Sequence, residues 1–312
     1  MRRGAARIHD TRPFVRAASA RGGASFWRDP LLSDAFLSRR VPLAGRIRLI
    51  HAPSGDYAFS RYTNGRGFRH FRRLCGAVLR PDSVSFDIGA NIGLTALIAA
   101  DVTTRGRIYA IEAAPRNFAA LSRNVYEHGA SIIRPIHCAV GAQEGSVPFF
   151  DNSTFGYVVA EADMAASRGT PVPLRTLDNL VAERGLERLD FIKMDIEGFE
   201  EEALNGATAT LARFDPVVML EFNSWCQIAS YDRSPRRFLE RLLDTFPELH
   251  VWRHGRLTDV RRLGVYQFLH THLIEHHCNT DLIGCRAGER LDRLKAMQAE
   301  RGLAGLRRRL GF

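Results

Sequence analysis

The chain has 312 residues, 45% of them hydrophobic and 25% charged, with a formal net charge of +10. This is globular composition with enough length for a full core, which excludes a disordered or fibrous polypeptide. No apolar run reaches the ~18 residues that a membrane helix needs, and five cysteines without a Cys-x-x-Cys pair argue against a disulfide framework.

The N-terminus is basic but lacks a continuous apolar core, so it does not read as a secretory signal. A cytoplasmic protein is expected. Lys193 and Lys295 are the only lysines, and arginine carries the rest of the positive charge. The plain reading is a composition bias. The sharper one is an anionic partner: nucleic acid, a lipid headgroup of an anionic surface touched peripherally, or an acidic glycan.

Residues 1–45 lack steady periodicity and read as a basic, partly disordered arm, with one amphipathic turn in FWRDPLLSDAFL. Ile47 to Tyr62 reads as two short strands around Pro-Ser-Gly-Asp. Residues 68–79 have helical spacing and stop before Pro81. Strands and helices then alternate: SVSFDIG and LTALIAADV, RIYAIEA and NFAALSRNVYEHG, then IIRPIHCAV. VPFFD and YVVAEA read as an inserted hairpin, and VPLRT as a short strand feeding LDNLVAERG. LDFIKMDIEG, PVVMLEF, LHVWRHG and DLIGCR are later strands. EEALNGATATLARF is helical in two pieces around Gly206, and PRRFLERLLDTF is a helix. A basic amphipathic helix ends the chain. The alternation predicts an α/β fold: a mostly parallel sheet with helices on both faces.

The informative loop is SFDIGANIGLTALIAA, residues 85–100. Asp87, Gly89, Ala90, Asn91 and Gly93 follow the first core strand, where sheets of this kind bind ligands. The glycines permit tight turning and close approach, and Asn91 tolerates a left-handed backbone. Glu112 ends the next strand and suits the two hydroxyls of a ribose. A dinucleotide loop has Gly-x-Gly-x-x-Gly spacing to admit a pyrophosphate. Here an aspartate heads Asp-x-Gly-x-Asn-x-Gly, which favours an ammonium, so S-adenosylmethionine is the expected cofactor.

Three segments together, FDIGANIGLTALIAA, RTLDNL with LDFIKMDIEGFEEEALNGA, and PVVMLEF, resemble the FkbM family of S-adenosylmethionine-dependent methyltransferases. The resemblance covers about Asp82 to Phe222. It implies a class I methyltransferase, Rossmann-like fold of seven strands with the last one antiparallel. It also implies methyl transfer, usually to oxygen on a sugar or secondary metabolite. By position it makes Asp87, Gly89, Asn91 and Gly93 the cofactor loop and Glu112 the ribose ligand. Cys138, Ala139 or His137 would line the adenine pocket. The domain is expected over 46–288, with 289–312 as a basic helix or tail.

Asp195 ends the fourth strand, beside the expected cofactor. A hydroxyl acceptor needs a base, and Asp195 and Glu197 are the candidates, with Lys193 able to reach the same rim. No metal is expected, although Asp195, Glu221 and Asn223 would offer three oxygens to a divalent ion. His270, His272, His276, His277 and Cys278, with Cys285, are dense in zinc-ligand types but have no standard spacing. They read instead as a connector between the last strands that lines the acceptor cleft, where one histidine could be the base.

The first reading is therefore an O-methyltransferase acting on a saccharide, glycan or secondary metabolite. The alternatives are a nucleic-acid methyltransferase and a non-catalytic cofactor-binding protein. MDIEGFE lacks the Asn/Asp-Pro-Pro-aromatic pattern of base-amine methylation, which argues against the former.

Overall fold

A computed structural model of the chain describes residues 36–54, 59, 68–152, 155–158 and 169–310. It begins with an antiparallel hairpin, β1 (Phe36–Leu43) and β2 (Arg46–Pro53), turning through Ala44 and Gly45 at φ 52° and 90°. Positive φ at both turn residues matches the twist of the strands. The hairpin therefore lies earlier than its sequence suggests, and β1 falls inside the expected arm. Exposed arginines at positions 39 and 40 hide the alternation that buries Val41 and Leu43. Residues 1–35, with most of FWRDPLLSDAFL, and much of the expected second strand lie outside the described residues.

The chain continues through α1 (Arg69–Val78), β3 (Val84–Ile88), α2 (Leu94–Ala100), β4 (Arg107–Glu112), α3 (Pro115–Glu127) and β5 (Ile133–His137). Next come β6 (Ala139–Val140), β7 (Gly145–Asn152), β8 (Phe155–Val158) and β9 (Thr170–Arg175), which form a separate four-stranded sheet in the order β6-β9-β7-β8. The main alternation resumes with α4 (Leu177–Glu183), β10 (Phe191–Met194), α5 (Glu200–Asn205), α6 (Thr208–Phe214), β11 (Val217–Asn223), α7 (Ser224–Tyr231) and α8 (Pro235–Thr245). It closes with β12 (Glu248–Arg253), β13 (Arg256–Asp259), α9 (Val260–Leu263), α10 (Val265–Ile274), β14 (Asn279–Cys285) and α11 (Glu289–Leu310).

The main sheet runs β13-β12-β14-β11-β10-β3-β4-β5. The strands β5, β4, β3, β10 and β11 are parallel, and β14 inserts antiparallel between β11 and β12. The expected seven strands are thus present, and β13 adds an eighth at the edge. It arises because His254 and Gly255, at φ 52° and 75°, turn the chain straight back on β12. The stretch before β14 is also more structured than its sequence suggests. Val265 to Ile274 is a helix, whose polar residues obscure the buried pair Phe268 and His272.

Central strands bury both faces, as a parallel sheet under two helical layers must. Neighbouring residues divide between two cores. Phe191, Val217, Met219 and Ile283 pack with α1, α2 and the start of α11. Ile192, Met194, Val218 and Leu220 pack with α4, α5, α8 and α10. Leu291 and Leu294 are 1% and 0% exposed in the first core, so the start of the last helix is structural rather than a tail.

Candidate active site

Strand order reverses at β3, which lies between β4 on one side and β10 on the other. Connections leave these strands in opposite directions, and the gap beyond their carboxyl ends becomes a crevice. Here it is a cleft of about 1130 Å³, open mouth included. Its walls are the loop after β3, Ile111 and Glu112 of β4, Ala139 and Val140 of β6, and Asp195 to Glu197 after β10.

The loop after β3 is held by backbone bonds, by the Glu112 carboxylate and by two side-chain donors, Asn124 Nδ2 to Ile92 O at 2.8 Å and Lys193 Nζ to Gly89 O at 3.5 Å. Gly89 and Ala90 donate N–H bonds to Ile111 O at 3.0 and 2.8 Å. Gly89 has φ +75°, and a Cβ there would stand 2.0 Å from Asp195 O. Asn91 is left-handed at φ 51°, and Gly93 at +90° starts α2 against Leu121. Buried Glu112 accepts N–H bonds from Asn91 (2.7 Å, Oε2) and Ala114 (2.8 Å, Oε1). It thereby fixes the loop while still lining the cleft.

Asp87 sits differently from the sequence expectation. It is 5% exposed and lies beneath the cleft rather than among its lining residues. Its Oδ2 accepts from Thr95 Oγ1 at 2.6 Å, and its Oδ1 lies 3.4 Å from Lys193 Nζ. The register explains this: Lys193 and Asp87 are direct partners on neighbouring strands, so their side chains share a face. Lys193 also reaches Asp195 Oδ2 at 3.3 Å. Burial alone would pull Lys193 down, but the Asp195 and Asp87 carboxylates outweigh it and raise it above its ordinary value. Lys193 is therefore an ammonium clamp, not a base.

Further carboxyls gather at the ends of β10, β11 and β14. Glu221 and Asp281 are direct partners across β11 and β14. The nearest side-chain oxygens of Asp195, Glu197 and Glu221 lie within 4.8 Å of one another. Glu197 has a left-handed backbone, φ 54°, before Gly198 at 92°. Its Oε2 accepts from Asn223 Nδ2 at 3.0 Å and faces Cys226 Sγ at 3.5 Å. Burial, then the Asp195 charge, pushes Glu197 up to about 7. Burial does the same to Glu200, up to about 8, and to Asp281, up to about 7. Glu221 is raised well above the carboxylate range by burial and by Asp195.

Asn223 does not offer its oxygen to this group. Its Oδ1 caps α7 by accepting from Cys226 N at 3.1 Å, which turns Nδ2 toward Glu197 and Glu221. Asn279 Nδ2 donates to Glu221 Oε1 at 2.6 Å. Donors thus hold Glu197 and Glu221 and Lys193 holds Asp195; Asn223 turns its oxygen away, and the three acids that bring oxygens close enough for one ion are Asp195, Glu197 and Glu221.

Of the other expected residues, Ala90, Asn91, Cys138 and Ala139 line the cleft, and Gly93 stands just behind it. His137 does not line it. Its Nε2 bonds Ala113 O at 3.0 Å and its ring stacks on Phe118. Buried His272 is clasped by Ser224 Oγ and Thr280 Oγ1, both at 2.8 Å, and burial lowers it to about 4. His270 and His277 are exposed, and none of these histidines lines the cleft or belongs to a metal-ligating group among the described residues. Sequence reasoning names 60–80 and 151–170 as pocket-lining segments, and Phe68 and Val158 from them line the cleft; it missed Phe149, Glu200 and Asp281. The signal for Glu200 and Asp281 was positional: both stand among strand ends already rich in acids.

This strand order, with a glycine-turned loop over the first core strand and an acid ending the second, defines a Rossmann-like domain of the class I methyltransferase kind. The chain belongs to the methyltransferase FkbM domain family, whose sequence profile matches residues 87–247. It is 27% identical over 206 residues to the 31-O-demethyl-FK506 methyltransferase FkbM of Streptomyces tacrolimicus, covering 56% of this chain and 77% of that one. It is 26% identical over 156 residues to the hexuronic acid methyltransferase AglP of Haloferax volcanii, covering 49% of this chain and 62% of the relative. A solved FkbM methyltransferase from Methylobacillus flagellatus is similar with TM-score 0.43 and 17% identity, over 73% of this chain and 60% of that one.

Proposed function

We infer that the protein is an S-adenosylmethionine-dependent O-methyltransferase acting on a hydroxyl of a saccharide, glycan or secondary metabolite. The observation that carries this is one cleft holding a ribose-type acid, Glu112, and a desolvated carboxyl, Glu197, on opposite walls. Two relatives are named as a hexuronic acid methyltransferase and a 31-O-demethyl-FK506 methyltransferase, and the latter name supports an oxygen acceptor.

The residues present fit the cofactor. Glu112 offers acceptors for a ribose diol, the Gly89 backbone lines the cleft with no side chain, and Ile111, Cys138, Ala139 and Val140 form an apolar wall for a flat base. When bound, the cofactor supplies a methyl group on a sulfonium that leaves readily. The chain's task is to align the acceptor and take its proton.

Glu197 is the base. It lines the cleft, and its Oε1 has no hydrogen bond among the described residues. A carboxylate held near neutrality abstracts a proton better than an ordinary one. Asp195, paired with Lys193, orients the hydroxyl. No helix among the described residues is long and apolar enough to cross a membrane.

The test is transfer of labelled methyl from S-adenosylmethionine to a panel of saccharide and polyketide hydroxyls, with Glu197→Gln beside wild type. Label appearing on oxygen, and lost with the variant, supports the reading. Saturable cofactor binding with no methyl transferred to any acceptor, together with full cellular activity of Glu197→Gln, would favour a non-catalytic cofactor binder instead.

A further inference from the structure

The edge of the main sheet opposite the cleft carries a second cavity. It lies where β3, β10 and β11 begin and β14 ends, and it measures about 660 Å³ with its mouth. Five arginines line it: Arg80, Arg188, Arg286, Arg290 and Arg293. Such crowding of one charge in a concavity is costly unless anions answer it.

Most of the anions are internal. Asp190, 2% exposed, accepts from Arg188 Nε and Nη2 at 3.0 and 2.9 Å, from Val84 N at 2.9 Å, and from Arg290. It is saturated. Arg286 stands 3.3 Å from Asp215, and Arg80 pairs with Glu289. Arg293 is different. Its Nη2 reaches Val78 O at 3.3 Å, its Nε is buried without a hydrogen-bond partner, and it forms no ion pair among the described residues. Burial, then the charges of Arg80 and Arg290, pull it below its ordinary value. Among the described residues the one carboxylate that acts on it, Glu289, is already paired with Arg80, so the Arg293 guanidinium keeps an unmet donor beside two other positive charges. The 22-residue helix α11 begins at the same cavity, and its positive dipole end is met there by the first-turn acids Glu289 and Asp292.

We propose that this cavity is a binding site for a phosphate-class oxyanion, held by Arg293 and flanked by Arg80 and Arg290. A tetrahedral oxyanion accepts forked guanidinium bonds from several directions. Glu289, with a side chain 69% exposed, is the movable counter-charge that the ligand displaces from Arg80. The site is remote from the cleft and does not depend on the methyl-transfer reading.

The experiment is calorimetric titration of the full chain with sodium phosphate, ionic strength matched with sodium chloride. It compares wild type, Arg293→Gln and Glu289→Gln. Saturable binding is expected, weakened at least tenfold by Arg293→Gln and tightened several-fold by Glu289→Gln, with S-adenosylmethionine binding unchanged in both. The Glu289 substitution lies on the surface and keeps the test decisive even where loss of Arg293 disturbs folding. A parallel titration with glycerol 3-phosphate separates sources: equal affinity assigns the site to a phosphoryl group on a larger molecule, and preference for inorganic phosphate assigns it to the free ion. No binding beyond the chloride-matched control, or one affinity for all three proteins, would overturn the proposal.

Discussion

Gly89 and Asp195 are locked together: a Cβ on Gly89 would stand 2.0 Å from the Asp195 carbonyl oxygen. The loop after β3 and the end of β10 therefore share one contact that only glycine allows. Gly89→Ala forces the two apart and also strains a backbone at φ +75°. A stability loss of roughly 2 kcal/mol or more is expected, with S-adenosylmethionine affinity down at least tenfold. Thermal melts and cofactor titration check both. An alanine variant that melts and binds like wild type would show that the contact is not a constraint.

Lys193 clamps Asp87 and Asp195, at 3.4 and 3.3 Å. Lys193→Met leaves the buried Asp87 without its counter-charge. Loss of one partner from a buried pair costs roughly 3–5 kcal/mol, and the low end applies because Asp195 is partly exposed. Denaturant unfolding measures it. An unchanged midpoint would mean that Asp87 finds its compensation elsewhere.

Glu197 is raised to about 7 by burial and by Asp195, and as the proposed base it would act in its ionised form. Methyl-transfer rate is expected to climb with pH through about 7 and then level. Glu197→Gln should lower kcat by roughly 10²–10⁴, leave cofactor affinity intact and abolish that pH step. A full rate with the step retained would move the base elsewhere.

Glu200 is fully buried, accepts Ile196 N–H at 2.9 Å, and has its other oxygen unpaired. Its ordinary value is 4.5, and the fold raises it to about 8. The folded state thus prefers the protonated form. Its contribution to stability is fully present below about 4.5 and is lost as pH rises through about 8. Within that window one such proton gives a slope of roughly 1.4 kcal/mol per pH unit. Glu200→Gln should flatten the decline of unfolding free energy across this range, and parallel curves for the two proteins would refute it.

Much of the fold is legible because its signals are local. FDIG, IYAIE, DFIKMD and VVMLEF are apolar runs closed by acids or glycine, and each is a core strand. The conspicuous RTLD and NGA segments turn out to be architecture. Asp178 accepts from Ala209 and Thr210 N–H to cap α6, and a Cβ on Gly206 would stand 2.0 Å from Gly141 O. The misses came from register and tertiary pairing. Nothing near Asp87 in the sequence shows that Lys193, 106 positions on, faces it across two strands. Asp281 acquires its role only because β14 returns antiparallel beside Glu221. His272 looks like a ligand in isolation, yet two hydroxyls from distant elements satisfy it.

The central claim is that the β3–β10 cleft binds S-adenosylmethionine with Glu112 as its ribose partner. Calorimetric titration of wild type and Glu112→Ala with S-adenosylmethionine tests it most directly. The account predicts saturable one-site binding by wild type and at least a tenfold loss in the variant, because Glu112 holds both the ligand and the N–H groups of Asn91 and Ala114. No binding by folded wild type, or equal binding by both proteins, would contradict it.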